Sequence, residues 1–412
     1  MKNTIFKFIF FSIGCLVSFQ NTYSQENIKL IGFTSNGQTV DNLVKWNVGQ
    51  TEFLETLPVD YVGVLMGSSI FNSNSGEYYS RVLVNENDEY VSKMMKYNSL
   101  NNAIGLNPVT SVYNGSAEVD MQNGLIYSYD GDLDNNVYLN CFNPYTQTST
   151  NLGYYNQNDI GILFPDGSCF DSDNHIFYFI TQIEGEKKLM KSTLSENGFT
   201  YTVIPLVGPT IIGNIGLEYS NEQNKIHLLF PEYNSNTGTS TLNVGELNTE
   251  TGVISNLINI VEVTGLQLFN RTYDQNSENL VFIAIDLENQ QRLYTYNTTT
   301  YQLISQPLPP YILYEIEADN FEFAQARFGS LGITATNYNP YTIYPNPTKD
   351  AFEVNFDGIE AQFELFDSLG RLVKKGNIQN GQKIDVVNLN KGIYSLKLNS
   401  IAGSSTKKLI IR

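Results

Sequence analysis

The amino-acid sequence predicts an all-β protein with two folded parts, and three observations lead to this prediction. Charged residues make up only 16% of the 412 residues, while Gly and Tyr are frequent. Such a composition suits short strands joined by polar turns better than helices. A turn-and-strand pattern recurs through most of the chain and stops near Thr342. The length also exceeds that of a typical single domain, so we expect a repetitive β domain followed by a smaller one.

The amino-terminal segment predicts a secretory signal peptide over residues 1–25. Lys2 and Lys7 precede an apolar run of ten residues, 8–17, and a polar stretch follows. A run of that length is about half of what a membrane-spanning helix needs. We expect cleavage after Gln25. A membrane anchor and a lipoprotein signal at Cys15 are the alternatives, and Ser12 stands where a lipoprotein signal usually has Leu.

The repeat predicts a β-propeller over residues 26–337. Its clearest copy, from Ala117 to Gly153, alternates four strands with three polar turns, the second of them acidic. The third strand of six such units ends at Asn47, Asn98, Asn143, Thr193, Asn248 and Asn297. A four-stranded meander cannot bury both of its faces alone, and radial stacking of such sheets solves this problem. We expect the apolar side chains of these strands to pack between blades.

The number of blades depends on the segment from Tyr311 to Arg327, which follows the last unit. It can complete a blade with the first strand of the domain, which gives six blades, the number we predict. Alternatively, it forms a seventh blade with Ile28 to Phe33. The pattern resembles the secreted quinoprotein-like and YVTN-like propellers over about residues 26–335. That resemblance implies a fold and no particular activity, because propellers host enzymes, lectins and scaffolds alike.

The C-terminal part, residues 338–412, differs from the repeat in charge and in pattern. The net charge of −18 divides into −23 for residues 26–340, +3 for residues 341–412 and +2 for the signal peptide. About six or seven short strands predict a small Ig-like β-sandwich here. Pro345 and Pro347 predict an extended lead into its first strand, and Gly370 and Gly392 predict bends.

The order of motifs in this part, "YPNPT", "ELFDSLGRLV", "LNKGIYSLKL" and "KKLIIR", resembles the type A C-terminal sorting domain of the type IX secretion system of Bacteroidetes. The resemblance covers residues 342–412, and an ordinary Ig-like binding module is the alternative. It implies export by the type IX secretion machinery across the outer membrane, followed by cleavage by a surface sortase and either anchoring or release. The positions that match the family are Pro345, Asn346, Pro347, Gly370, Gly392, Tyr394, Lys407 and Lys408.

The repeat domain contains no sequence motif of a known catalytic, metal or cofactor site. His175 and His227, the two histidines of the chain, do not align in the repeat when Ile176 is matched to Ile226. They therefore predict no shared metal site. The acidic turn from Asp130 to Asp134 has the alternating carboxylates of a calcium loop, but lacks its glycine and its final glutamate.

Other polar residues of the repeat have simpler interpretations. Asp171 and Asp173 are expected turn formers. Cys141 and Cys169 are expected to be small buried side chains, with a disulfide between them as the alternative. The strongly negative repeat argues against a nucleic-acid partner.

The sequence therefore predicts a secreted or cell-surface protein whose propeller is a binding module for a glycan or peptide. A polysaccharide hydrolase or lyase that uses paired carboxylates is the alternative. The loops before each first strand are predicted to line the axial mouth, namely 107–116, 154–168 and 207–216. They contain the candidate ligand-binding side chains Tyr154, Tyr155, Asn156, Asn158 and Asp159.

Overall fold

The computed structural model describes residues 28–35, 39–65, 67–108, 116–132, 134, 136–195, 198–308, 312–329, 341–356, 360–367, 370–400 and 403–412. The signal-peptide prediction lies outside these residues. Within them the chain is β-rich, as predicted, and it forms a propeller followed by a small β domain.

Six antiparallel sheets of described residues form the blades of the propeller. Blade 1 combines strands from both ends of the domain: Lys29–Ser35, Val40–Asn47, Glu55–Tyr61 and Ile312–Ala318. Blade 2 contains Gly63–Val64, Ile70–Asn72, Glu77–Glu86, Glu89–Asn98 and Ala103–Pro108. Blade 3 contains Ala117–Val119, Ile126–Gly131, Val137–Asn143 and Thr148–Tyr154. Blade 4 contains Ile162–Asp171, Ile176–Ile183, Glu186–Ser195 and Gly198–Pro205. Blade 5 contains Gly216–Ser220, Lys225–Asn234, Thr239–Leu247 and Ile254–Val263. Blade 6 contains Gly265–Asp274, Asn279–Ile285, Gln291–Asn297 and Leu303–Pro307.

The ring closes through blade 1. The late strand Ile312–Ala318 pairs antiparallel with the first strand, Lys29–Ser35, so the six-blade prediction is confirmed. The inner strand of each blade, defined here as the one nearest the axis, neighbours the inner strands of the two adjacent blades. Buried apolar clusters lie between adjacent blades, as the repeat predicted. Burial of these apolar surfaces is what makes stacking of the sheets favourable.

The asparagines that marked the repeat in the sequence stabilise its turns. In blade 2, Asn98 Oδ1 accepts from the backbone N–H groups of Leu100 and Asn101 at 3.0 and 3.2 Å. Asn143, Asn248 and Asn297 make the same pair of bonds in blades 3, 5 and 6. A short side chain that bonds the backbone two and three residues ahead offers the chain a ready turn. The spacing of about 50 residues is therefore the spacing of one kind of turn.

We call the end of the ring where inner strands begin the upper face, and the end where they finish the lower face. The helix Phe321–Arg327 follows the inner strand of blade 1 and is called the lower-face helix. A short 3₁₀ helix, Gln157–Asp159, lies between blades 3 and 4. Neither of these described helices is long and apolar enough to span a membrane.

The C-terminal domain is a two-sheet sandwich, as predicted. One sheet contains Tyr341–Tyr344, Ala351–Phe356 and Lys383–Asp385. The other contains Glu360–Phe366, Leu372–Gln379, Gly392–Ser400 and Gly403–Ile411. Buried side chains of both sheets form one apolar cluster, in which Phe352, Leu365 and Leu396 are almost completely enclosed.

The prolines of this domain occupy a different place from the predicted one. A strand, Tyr341–Tyr344, precedes them, so they connect the first two strands and do not lead into the first. The sequence did not predict this first strand, because Tyr341–Tyr344 is only four residues long and is followed directly by Pro345.

Candidate functional site

The six inner strands present equivalent residues to the axis of the ring. In blades 2 to 6, one inner-strand residue pairs with the residue seven positions later in the chain, for example Val119 with Ile126. In blade 1 the inner strand comes from the other end of the domain, and Ala318 pairs with Leu30 at the equivalent position of the sheet. The residue immediately before each of these pairs is therefore equivalent around the ring. These six residues, from blade 1 to blade 6, are Glu317, Ile70, Glu118, Cys169, Glu218 and Thr272.

All six equivalent residues line a cavity of about 130 Å³ on the propeller axis. Three of them are glutamates from alternate blades, and we call Glu118, Glu218 and Glu317 the axial triad. Alternation around a six-membered ring places the three carboxyl groups on the same cavity from three directions. This acidic cavity is the candidate functional site.

Each member of the axial triad bonds to a side chain from a neighbouring blade. Ser168 Oγ of blade 4 donates to Glu118 Oε1 at 2.6 Å. Ser69 Oγ of blade 2 donates to Glu317 Oε1 at 2.8 Å, and Thr272 Oγ1 of blade 6 donates to Glu317 Oε2 at 3.3 Å. The triad therefore joins blades as well as lining the cavity.

Glu218 is paired with the guanidinium group of Arg271. Arg271 Nε lies 3.1 Å from Glu218 Oε1, and Arg271 Nη2 donates to the carbonyl of Leu217 at 3.1 Å. Gly216 leaves room for this arrangement, because a Cβ there would lie 2.5 Å from Arg271 Nε. One guanidinium thus lies among three carboxyl groups.

The surroundings raise the pKa of every triad carboxyl. Burial raises the pKa of Glu118 to about 8, with a further contribution from the charge of Glu218. Burial raises the pKa of Glu218 to about 7, although Arg271 opposes the shift. Burial, together with the charges of Glu218 and Glu118, raises the pKa of Glu317 well above its usual value. Each carboxyl keeps some surface on the narrow cavity but is removed from bulk water, which disfavours its charged form.

Below the triad, a series of hydrogen bonds runs from blade to blade around the axis. We call Ser172, Asn221, Gln275 and Asn320 the lower belt. The backbone N–H of each of the first three donates to the side chain of the next, at 3.0, 3.0 and 2.9 Å. Met121 N–H donates to Ser172 Oγ at 2.9 Å and extends the belt to blade 3. Buried backbone N–H groups at the lower end of the inner strands are thereby satisfied.

The lower-face helix crosses the ring beneath this belt. It begins beside blade 1, and Gln325 Nε2 donates to the carbonyl of Asn74 in blade 2 at 3.0 Å. Arg327 Nη2 lies 2.8 Å from Asp173 of blade 4, and Arg327 Nη1 lies 2.8 Å from Glu222 of blade 5. Since blades 1 and 4 are opposite each other in a ring of six, the helix passes across the axis.

The side chains predicted to line the axial mouth lie elsewhere. Tyr155 is buried and packs against Phe179, Phe199 and Tyr201 of blade 4. Tyr154 is exposed, but it ends the outermost strand of blade 3, far from the inner strands in the order of the sheet.

The polar residues of that loop are also peripheral. Asn156 accepts from Asn158 N–H, and Tyr201 Oη donates to Asp159 Oδ2 at 2.9 Å. The prediction was wrong for these five side chains because they follow the outer strand of blade 3. The ends of two predicted loops, Ser116 and Ser168, do line the axial cavity, and residues 109–115 lie outside the described residues.

The two histidines occupy unrelated positions, as predicted, although the alignment behind that prediction was wrong by one residue. The registers match Phe177, not Ile176, with Ile226. His175 Nδ1 lies 2.7 Å from Asp120 Oδ2, and this hydrogen bond raises the pKa of His175. Burial lowers the pKa of His227 to about 4, and its ring stacks on Tyr273.

The acidic residues singled out in the sequence act in turns. Asp132 accepts from the side-chain and backbone N–H groups of Asn136, and this lowers its pKa. Asp171 Oδ1 accepts from the N–H groups of Asp173 and Asn174. Among the residues that the structure describes, no three His, Cys, Asp or Glu side chains are arranged to hold a metal ion. Cys141 and Cys169 are free cysteines in the structure, Cys169 buried as expected and Cys141 half-buried.

Sequence inspection missed the axial triad, although a signal for it exists. Each of the three glutamates stands two residues before Asp120, Ser220 or Asp319 at the end of an inner strand. Aligning the units on this polar residue would have superimposed the glutamates. We aligned them on the later asparagine turns, from which the loop lengths differ.

Three of the proposed sorting-signal residues, Pro345, Asn346 and Pro347, lie together at one edge of the sandwich. Asn346 Nδ2 donates to the carbonyl of Lys408 at 2.7 Å, and Ile410 N–H donates to Asn346 Oδ1 at 3.0 Å. The peptide bonds before Pro345 and Pro347 are cis. The "YPNPT" segment therefore docks on the last strand, more than 60 residues later.

The other sorting-signal residues have separate places. Gly370 has a φ of 76°, which suits glycine in its turn, and Gly392 begins the strand that pairs with the last one. Tyr394 is buried, and its hydroxyl donates to the carbonyl of Asn390 at 2.6 Å. The ammonium group of Lys407 donates to the carbonyl of Tyr341 and lies over its ring, while the side chain of Lys408 is exposed.

Residues 342–412 match the family described as "Secretion system C-terminal sorting domain". The predicted sorting domain is thus confirmed over the same residues, and it directs the chain to the cell surface or to secretion through the type IX machinery. No curated protein matches the sequence.

Solved structures resemble the propeller at the level of fold. TolB from Acinetobacter baumannii is 12% identical with a TM-score of 0.50, over 72% of this chain and 67% of that one. AofleA from Arthrobotrys oligospora is 10% identical with a TM-score of 0.45, over 71% and 90%. The β-propeller domain of the Trilobed protease from Pyrococcus furiosus is 8% identical with a TM-score of 0.34, over 85% and 94%. At such identity the likeness to TolB shows the fold alone.

Proposed function

We propose that this protein is an exported binding module whose propeller recognises a ligand at the axial cavity. The observation that carries the proposal is the convergence of three glutamates from alternate blades on one cavity. Carboxyl groups accept hydrogen bonds in either protonation state, and a cation that enters the cavity lowers their pKa and so favours the charged form. The site therefore suits a group that donates hydrogen bonds or is cationic.

The size of the cavity narrows the class of ligand. At about 130 Å³ it is smaller than sites that enclose a whole small molecule, which occupy about 300–1,000 Å³. We therefore infer that a larger ligand inserts a single group, such as the amino or guanidino group of a peptide or of an amino sugar. Because the lower-face helix crosses the lower end, we place the mouth of the site on the upper face.

A polysaccharide hydrolase or lyase is the second candidate, and one observation favours it. Glu118 and Glu218 have pKa values raised to about 8 and 7, as a general acid requires. Against this, the cavity is too small for the sugar ring that must lie between two catalytic carboxyls. Their bonds to Ser168 and Arg271 also give both carboxyls a role in joining the blades.

The test uses the mature chain, residues 26–412, on a glycan and peptide array beside a polysaccharide-degradation screen. We expect binding of compounds with an accessible amino or guanidino group, and no turnover. Turnover of any glycan that is abolished by Glu118→Gln, with folding retained, would establish the enzyme instead. Binding that Glu118→Gln and Glu317→Gln leave unchanged would move the site away from the axis.

A further inference from the structure

The axial triad joins separate pairs of blades at a single level. Glu118 bonds blade 3 to blade 4, Glu218 bonds blade 5 to blade 6, and Glu317 bonds blade 1 to blades 2 and 6. A change in the charge of these three carboxyl groups therefore acts on several interfaces between adjacent blades at once.

Few charged groups are available to compensate the triad. Of the described residues, the ionisable groups that face it are Arg271 from blade 6, Cys169 from blade 4, Glu315 from blade 1, and Tyr219 and Tyr273 from blades 5 and 6. Arg271 is the only cation among them, and Glu315 adds a fourth carboxyl. Its oxygens accept from the N–H groups of Gly67, Ser68 and Ser69 in blade 2. Full ionisation would leave several negative charges around one guanidinium in a narrow cavity, where repulsion is strong.

We propose that the axial triad is a pH-sensitive switch in the closure of the ring. When its carboxyl groups are protonated, the inner strands of adjacent blades stay together. Loss of these protons weakens the contacts between the blades at the axis. A protonated carboxyl still accepts a hydrogen bond from Ser168 or Ser69 through its carbonyl oxygen, and it adds no negative charge to the cavity.

The pKa directions give the sign of the effect on stability. A carboxyl with a raised pKa binds more protons in the folded state than in the unfolded state, between its unfolded value near 4.3 and its folded value. For Glu118 that range extends to about pH 8. The stabilisation is complete below about pH 4.3, and it is lost as the pH rises through about 8. His227, whose pKa is lowered, acts in the opposite direction only below about pH 6.5.

The test follows the thermal unfolding of the propeller in the mature chain between pH 6.5 and 8.5. We expect the melting temperature of the wild type to fall as the pH rises. In Glu118→Gln and in Glu118→Gln/Glu317→Gln the fall should be smaller, with a higher melting temperature than the wild type at pH 8.5. An unchanged slope in both variants would overturn the proposal.

Two controls and a second measurement make the result specific. Glu250→Gln changes an exposed glutamate and should keep the wild-type slope. His175→Asn removes a histidine outside the axis whose pKa is also raised, by its hydrogen bond to Asp120, and Asn already occupies the equivalent position 224. If the axial variants do not fold, the wild type is unfolded in guanidinium chloride at pH 7.5, and the protons released or taken up are measured instead. Release of protons supports the switch, and uptake or no change contradicts it.

Discussion

The propeller is built around a polar axis, whereas the C-terminal sandwich is built around one apolar core. At the axis of the propeller, carboxyl groups, an arginine and the lower belt meet, and the apolar clusters lie between the blades. In the sandwich, a single cluster joins both sheets. Polar groups that converge on a cavity are typical of ligand sites, and among the described residues they are found at the axis of the propeller. The sandwich carries the match to the sorting domain.

Among the changes that distinguish the two domains, deletion of residues 342–412 is expected to have the largest effect. The sorting domain lies wholly in that segment, so the truncated chain should fold but remain in the periplasm. Fractionation of cells, with protease protection of intact cells, measures its location. Surface display equal to that of the full chain would contradict the division of roles.

Shortening a core side chain of the sandwich should unfold that domain selectively. Leu396 is completely buried, and Leu396→Ala should cost about 2–5 kcal/mol because it leaves a cavity. Calorimetry should show the loss in the transition of the sandwich and none in that of the propeller. The matched control is Ile393→Ala on the same strand, where the side chain is about half exposed and the cost should be small. A parallel loss in both transitions would mean that the two parts unfold as one.

Breaking the lower belt should weaken the propeller by less. Gln275 is buried, accepts from Asn221 N–H and donates to the carbonyl of Tyr219. Gln275→Met leaves these two backbone groups without partners, at a cost of about 1–3 kcal/mol each. Denaturant unfolding measures it, with the exposed Gln302→Met as the control. Equal stability of the two variants would show that the belt contributes nothing.

The smallest effect is expected at the lower-face helix. Arg327 pairs with Asp173 and Glu222 at the surface, where ion pairs contribute about 0–1 kcal/mol each. Arg327→Gln should therefore shift the melting temperature slightly at low salt and not at 1 M salt, where such pairs are screened. A large shift that salt does not reduce would assign the helix a structural role beyond these pairs.

Much of the fold could be predicted from the sequence because the repeat is set by local chemistry. Asn98 and Asn143 bond the backbone within three residues, so their spacing reveals the blades directly. Gly370 is likewise a local signal, because its positive φ suits glycine and the turn it forms was predicted from the sequence.

The candidate site could not be predicted, because it depends on contacts between distant residues. Glu118 and Glu218 are 100 positions apart, and they meet only when the ring closes through Ile312–Ala318. The misplacement of Tyr155 has the same cause. The sequence places this aromatic residue in a loop, where it could bind a ligand, but it does not show that the neighbouring blade buries it.

The central claim is that the exported propeller binds its ligand at the axial triad, and calorimetric titration tests it most directly. The best compound from the array is titrated into the mature wild type and into Glu118→Gln/Glu317→Gln, at a pH where both are fully folded. We predict that the variant loses at least about tenfold in affinity, because a hydrogen bond to a charged group contributes about 1.5–3 kcal/mol and about 1.4 kcal/mol corresponds to a factor of ten. Equal affinity of the two proteins, or the absence of any bound compound in the array, would contradict the account.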